Sequence, residues 1–327
     1  MAGAQGSALA AAVSDAGGLG SLPCAMLSFE AMRNELAAIR ARTDKPFNAN
    51  FFCHTPPEPS AEREASWRTA LSPYYKEYLI DANDIPAGPE RRPFTSETAD
   101  VLEELRPPVV SFHFGLPSAG LLARVRAWGS KVLATATTVE EACWLEARGV
   151  DVVIAQGLEA GGHRGMFLSE DLTTQVGTFA LLPQIVQAVK LPVIAAGGIA
   201  DSKGVAAAMA LGAAGVQIGT AYLLCLEATT SAVHRAALKS EAARHTALTN
   251  LFSGRPARGI VNRIMRERPM SAAAPPFPLA TSAVAPLRAR AESRGSAEFS
   301  PLWCGQNVSG CKEIPAAELT RELAADL

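Results

Sequence analysis

The sequence predicts an α/β fold of the TIM (β/α)8 barrel class, and three observations carry that prediction. Short β-branched runs alternate with alanine-rich helical stretches, the rhythm of βα units around a parallel sheet. Three of the runs end in glycine-dense loops: Val150–Ala155 leads into Gln156–Gly165, Leu191–Ala196 into Gly197-Gly198, and Ala214–Ile218 into Gly219-Thr220. Each unit leads on into a helical stretch, so backbone N–H groups from several strand ends would gather into one ligand site at one end of the barrel.

Strands are expected over Gly18–Leu22, Phe47–Phe52, Val109–Phe114, Val132–Thr137, Val150–Ala155, Pro192–Ala196 and Gly215–Ile218. Helices are expected over Ser7–Ala16, Ser28–Arg42, Ser118–Trp128, Thr138–Arg148, Phe179–Val189 and Ser202–Leu211. Thr138 and Asp201-Ser202 supply helix start signals, and Gly149 and Gly212 stand where C-caps belong. A closed barrel has eight strands, and seven are legible. The chain opens on Met1-Ala2-Gly3-Ala4-Gln5-Gly6, a loop of the kind that follows a strand, so the first strand is expected upstream of Met1. An open doubly wound sheet is the alternative.

The stretch from His54 to Arg106, rich in Pro, Glu, Arg and Tyr, is longer than a simple connection and reads as a helical excursion over one end of the barrel. From about Thr246 the βα rhythm stops; Ser271–Pro286 reads as a loop, and Ser282–Arg294 and Ala316–Leu327 look helical. The expected division is therefore residues 1–245, a barrel with a helical insertion around 55–106, and residues 246–327, a C-terminal helical subdomain on the substrate side.

Hydrophobic residues make up 48% of the 327, enough for a sizeable core. A net charge of −2 leaves no basic surplus for nucleic acid or an anionic membrane. Cysteines at 24, 53, 143, 225, 304 and 311 form no CxxC pair and no Cys/His cluster of zinc spacing, so reduced thiols in a cytoplasmic protein without a metal are expected. No signal-peptide pattern opens the sequence, and no apolar run approaches the roughly 20 residues that span a bilayer.

Several residues could carry chemistry. In barrels of this class a phosphate often sits between the loops after the last two strands, on N–H groups and a helix N-terminus. Gly198 and the Gln217-Ile218-Gly219-Thr220 run occupy those positions, Thr220 adding a hydroxyl; the alternative is that the glycines only make tight turns. His163 stands in Gly161-Gly162-His163-Arg164-Gly165, where an imidazole could serve as general base or place a proton. Arg164 could favour an anion there, or be a solvated charge. His113 ends another strand and could equally be a satisfied core histidine, the reading favoured for His54; His234 and His245 fall in helical segments and read as surface residues. Gln156 and Asn50 put amides, each both donor and acceptor, at strand positions suited to the edge of a heteroaromatic ring.

These residues together are specific enough to mark a family. The chain resembles the class I nitronate monooxygenases, formerly 2-nitropropane dioxygenases, over nearly its whole length. The resemblance rests on Met1-Ala2-Gly3 with Ala16–Gly20, Lys45–Asn50, Ser111–Gly115, Gln156–Gly165, Ala195–Ile199 and Gln217–Thr220. It implies a TIM barrel that binds FMN without a metal and oxidises alkyl nitronates with O₂ to a carbonyl compound and nitrite. It further implies that Asn50, Gln156, Gly161, Gly198, Gln217, Ile218, Gly219 and Thr220 hold FMN and that Met1 and Ala2 border the isoalloxazine. His163 would be the catalytic histidine, and His113 would line the substrate pocket. A protonated histidine could hold the anionic nitronate, whereas a neutral one could remove the acidic α-proton of a nitroalkane.

Two departures stand out. Family members carry aromatic and lysine residues near the substrate in the C-terminal segment, but Pro276–Ser282 contains neither tyrosine nor lysine, which predicts a less polar pocket. They also begin with a strand that is not legible here. Two competing readings remain: an NAD(P)H-dependent FMN reductase of enoyl thioesters or quinones on the same barrel, and a non-catalytic flavin-binding remnant. The expected partners are a small nitro compound and O₂, and a homodimer is compatible with the sequence.

Overall fold

Parallel strands buried on both faces show as continuous apolar runs rather than as alternation, and the runs read from the sequence form such a sheet. A computed structural model of the protein describes residues 3–82, 85 and 91–327. Its strands are β1 (Gly20–Pro23), β2 (Phe47–Phe52), β3 (Val109–His113), β4 (Lys131–Ala136), β5 (Val152–Gln156), the two-residue β6 (Gly162–His163), β7 (Val193–Ala196), β8 (Gly215–Gln217), β9 (Thr246–Thr249) and β10 (Ala257–Ile260). Seven of them curl into one parallel sheet in the order β1-β2-β3-β4-β5-β7-β8.

Helices alternate with these strands: α1 (Ser7–Asp15), α2 (Phe29–Arg42), α3 (Ala61–Tyr78), α4 (Ser96–Leu105), α5 (Ala119–Ala127), α6 (Val139–Glu146), α7 (Thr178–Ala188) and α8 (Ser202–Ala210). Then come α9 (Ala232–Leu238), α10 (Arg263–Glu267), α11 (Thr281–Glu292) and α12 (Ala316–Leu323). The expected start signals act as caps: Thr138 accepts from Glu141 N at 3.2 Å and Asp201 from Gly204 N at 2.7 Å. Gly149 and Gly212 take φ of +79° and +95° just past their helices. The architecture is that of a TIM-type barrel with helical additions.

The seven-strand expectation holds among the described residues, where β1 and β8 have no ladder with each other. Helix α12 lies against both α1 and α8 and so covers the outside of that opening. On the β1 edge, Gln5 Nε2 donates to the Ser21 carbonyl, which satisfies one acceptor of an otherwise open strand. Helix α1 approaches β1 so closely that a Cβ on Gly20 would lie 1.8 Å from the Ala10 carbonyl oxygen, so no larger residue fits there.

The region around 55–106 divides in two. Helix α4 takes a place in the outer ring between α2 and α5, whereas α3 leaves the ring and packs on α11. Trp67, Leu71, Tyr75, Leu251, Val284 and Leu287 make up part of a second core there, separate from the barrel core. Its polar tips find backbone partners: Trp67 Nε1 reaches Ala280 O at 3.3 Å, and Tyr75 OH reaches Ala283 O at 2.6 Å. The chain beyond 246 is also not helical throughout. It opens on β9 and β10, which pair antiparallel, and β10 pairs with β6, so the His163 loop forms the edge of a three-stranded sheet. Among the described residues no helix is long and apolar enough to cross a membrane.

Leu71 is fully buried between α3 and its neighbours. Leu71→Ala should destabilise the fold by about 2–5 kcal/mol, the cost of lost burial plus a cavity. A denaturant midpoint unchanged from the parent would contradict the account of this second core.

Candidate functional site

The C-terminal ends of the parallel strands bring the candidate residues to one face, as barrel geometry requires. Loop 157–165 leaves β5 and returns toward it, and two buried guanidiniums hold it: Arg258 Nε donates to Leu158 O at 2.9 Å, and Arg164 grips the strand end. Arg164 is fully buried and donates to Gln156 O at 2.8 Å, Gly157 O at 2.7 Å and Gln175 Oε1 at 3.0 and 2.9 Å. It is not a solvated charge: its donors serve the loop and Gln175. Gln175 in turn reaches Thr137 Oγ1 at 3.0 Å, and Thr137 donates to the buried Glu141 carboxylate at 2.8 Å.

Gln156 and His113 both serve the backbone of His163. Gln156 Nε2 donates to His163 O at 3.0 Å, and its Oε1 accepts from Gly165 N at 2.7 Å. His113 Nε2 lies 3.2 Å from the same carbonyl, and its Nδ1 lies 3.0 Å from Thr135 Oγ1. A carbonyl can only accept, so His113 carries its proton on Nε2. Burial pushes the His113 pKa down to about 3, so the ring is neutral.

The His163 imidazole stands over an aromatic box. Its ring centroid lies 5.2 Å from that of Phe277, 5.3 Å from Trp303, 6.0 Å from Phe114 and 6.5 Å from Phe52. His163 Nε2 lies 2.8 Å from the buried Ser253 Oγ, and that hydroxyl donates onward to Arg255 O at 3.5 Å. A hydroxyl both donates and accepts, so Ser253 fixes the orientation of the ring through Nε2 in either tautomer. Burial holds the His163 pKa well below its ordinary value, and the charges of Arg91 and Arg255 push it the same way.

His54 is buried against Phe277 with centroids 4.8 Å apart, and burial lowers its pKa to about 4. The core reading of His54 thus holds, although it shares the wall of the box. His234 departs from the surface expectation: it is buried, with a pKa lowered to about 4 by burial, whereas His245 is exposed.

The glycine loops converge on the ends of β7 and β8. Gly197 and Gly198 take φ of +116° and +76°, left-handed backbone that favours glycine. Gly219 precedes a 3₁₀ turn over Thr220–Leu224. Thr220 Oγ1 accepts from Gly305 N at 2.9 Å and keeps its own proton to donate. Gly198 O accepts from Asn307 at 3.0 Å, so the 305–307 segment closes this side. Gly161 is required for packing: a Cβ there would lie 2.5 Å from the backbone of Cys304 and Gly305. Gln217 is exposed and Ile218 half-buried on β8 and just beyond it.

Asn50 stands half-buried at the barrel mouth and uses Nδ2 on Ser111 Oγ at 2.8 Å, which leaves its carbonyl oxygen for a ligand. Below it, the buried Asn48 Oδ1 lacks a partner. Met1 and Ala2 lie outside the described residues. Sequence reasoning missed Ser253, Arg255, Arg91, Phe277 and Trp303. Only Phe52 and Phe114, at the ends of strands already read, carried a positional signal.

A family model described as nitronate monooxygenase matches residues 1–326. A nitronate monooxygenase of Paraburkholderia phytofirmans is 42% identical, across the whole of this chain and 90% of its own. One of Pseudomonas aeruginosa is also 42% identical, across the whole of this chain and 94% of its own. Among solved structures, nitroalkane oxidase from Streptomyces ansochromogenes superposes with a TM-score of 0.89 at 39% identity, covering 99% of this chain and 92% of that one. FabK from Thermotoga maritima superposes with a TM-score of 0.72 at 28% identity, covering 100% of this chain and 90% of that one. The chain belongs to the nitronate monooxygenase family, an oxidoreductase family that is flavin-dependent in general.

Proposed function

We propose that the protein oxidises nitronates, and the nitroalkanes that give rise to them, with FMN and O₂ to a carbonyl compound and nitrite. The observation that carries this reading is the neutral imidazole of His163, held in an apolar box beside two guanidinium groups at the mouth of the barrel. A neutral imidazole suits proton abstraction from a nitroalkane better than it suits an anion. Similarity to a nitroalkane oxidase supports the same choice. The Ser253 hydroxyl orients the ring through Nε2, and the imidazole takes the α-proton. His113 and Gln156 hold the His163 backbone while this happens.

The residues present fit FMN. The glycine turn at Gly197-Gly198 and the Gly219-Thr220 turn suit its phosphate, and the free carbonyl of Asn50 suits the N–H edge of its ring. Bound there, FMN supplies electron acceptance and reaction with O₂. Residues 1–245 then act as the flavin-binding barrel. Residues 246–327 form the substrate side, since Ser253, Phe277 and Trp303 all reach His163. The six free cysteines favour a cytoplasmic setting.

The test is a flavin spectrum of the purified protein followed by nitrite release from paired nitronates and nitroalkanes. Rapid anaerobic bleaching by NADPH without nitrite release would favour a reductase instead. His163→Ala should retain flavin and lose about 10²–10⁴-fold in nitroalkane turnover. Turnover within a few-fold of the parent would remove His163 from the chemistry.

Gly198→Val puts a β-branched residue at φ +76° and blocks close approach to the phosphate site. It should purify with little flavin, and full occupancy would count against the placement.

His54, His113, His163 and His234 all have folded pKa values below the ordinary 6.5. The unfolded chain therefore binds the extra protons, and stability falls as pH drops below about 6.5. Denaturant titrations should show declining stability between about pH 6.5 and 5, above the range in which most carboxylates titrate. A flat profile there would mean that these rings are not held neutral.

A further inference from the structure

The aromatic box is flanked by two arginines that hydrogen bonding leaves incomplete. Arg255 lies on the connection from β9 to β10, two residues before Ala257, the pairing partner of His163. Its guanidinium carbon stands 4.1 Å from the Phe114 ring centroid, Nη2 donates to Met166 O, and Nε is buried without a partner. Arg91 stands 5.5 Å from the Phe277 ring centroid, and its Nε and Nη1 are buried without partners. The Phe114 and Phe277 centroids are 5.4 Å apart, so the two guanidiniums rest on adjoining rings of one box.

Neither arginine forms an ion pair with a described carboxylate. Buried donors are ordinarily satisfied, and leaving one unmade is costly. Two desolvated cations with open donors beside a neutral base are costly for folding alone, whereas a bound anion would complete both.

We propose that Arg255 and Arg91 form the receptor for the nitro-group oxygens, binding the charge that appears on them as His163 takes the α-proton. The inference deepens the function proposed above and rests on it. In this step the α-carbon C–H bond breaks and its proton passes to His163. The electron pair forms the C=N bond, and an N–O π pair moves onto oxygen. Nothing is oxidised at this stage. A nitro group is neutral and a nitronate is a planar anion with charge shared by two oxygens. Planar guanidinium forks therefore bind the product of the step more strongly than its reactant, which lowers the barrier. The charge that an unprotonated His163 cannot supply comes from these side chains.

Nitrate, a planar inorganic anion, serves as the probe. Calorimetric titration of nitrate into the flavin-containing protein should show binding. Arg255→Met should weaken it by about tenfold or more, as loss of a charge-assisted hydrogen bond implies. Arg255→Lys should bind more tightly than Arg255→Met, and Arg91→Met provides an independent loss should Arg255→Met fail to fold. Binding of neutral 2-nitropropane should change far less. Equal nitrate affinity in parent and folded variants, or no nitrate binding by the parent, overturns the proposal. Equal losses for nitrate and 2-nitropropane make the arginines structural and also overturn it. Nitrate binding that depends on Arg255 without nitrite release from any nitro compound would leave the anion site standing and remove the proposed function. Nitrite release with an Arg255-independent nitrate affinity would do the reverse.

Discussion

The buried guanidinium of Arg164 is the constraint on which the site depends. A charge without a carboxylate partner in a protein interior is expensive unless every donor direction is met. Here the acceptors are the Gln156 carbonyl at the end of β5, the Gly157 carbonyl just beyond it and the side chain of Gln175, which Arg164 reaches because loop 157–165 folds back on its own strand end. His163 is the adjacent residue, so the geometry that neutralises one side chain aims the other. Glu141 sits at the far end of the same network, with Thr137 and Gln175 between the two charges. The pair is spread across polar relays rather than joined directly, and each member also organises backbone of its own: Glu141 accepts from Phe167 N and Leu168 N at 2.5 and 3.2 Å.

Burial then sets the chemistry of the imidazole. Desolvation is the largest influence on His163, His113 and His54, and for His163 the nearby arginine charges act in the same direction. In water a histidine beside two arginines would be modestly less basic. Inside the box, both effects are amplified by the low local dielectric. The result is a neutral imidazole beside two guanidinium charges.

The parallel sheet was legible in the sequence because strands covered on both faces are apolar throughout and because glycines mark the ends where helices or ligands crowd in. The ends of β5, β7 and β8, with Gln156, His163, Gly198 and Thr220, were readable for that reason. The remaining part of the site was not, because its cause is tertiary. β6 is two residues long and exists through β10, nearly a hundred residues later. No local pattern distinguishes Arg164 from a solvated arginine, since its burial is decided by Gln175 and by carbonyls of its own loop. Phe277 lies in a stretch without lysine or tyrosine, and the guanidiniums of Arg91 and Arg255 reach the same box from other segments.

The second core explains how those segments arrive. Helix α3 precedes the barrel's third strand, whereas α11 follows its last, and their contact is set by Trp67, Leu71 and Leu287 rather than by the sheet. Phe277 enters α11 from the loop just before it, and Arg91 lies between α3 and α4. The site thus has two walls of different origin. One is built on strand ends whose glycines tolerate almost no side chain, as at Gly161 against Cys304 and Gly305. The other is carried by helices that pack through ordinary apolar contacts, where exchange of one side chain for another of similar volume costs little. Variation on this barrel is therefore physically easiest in the helical wall and hardest in the wall of strand ends.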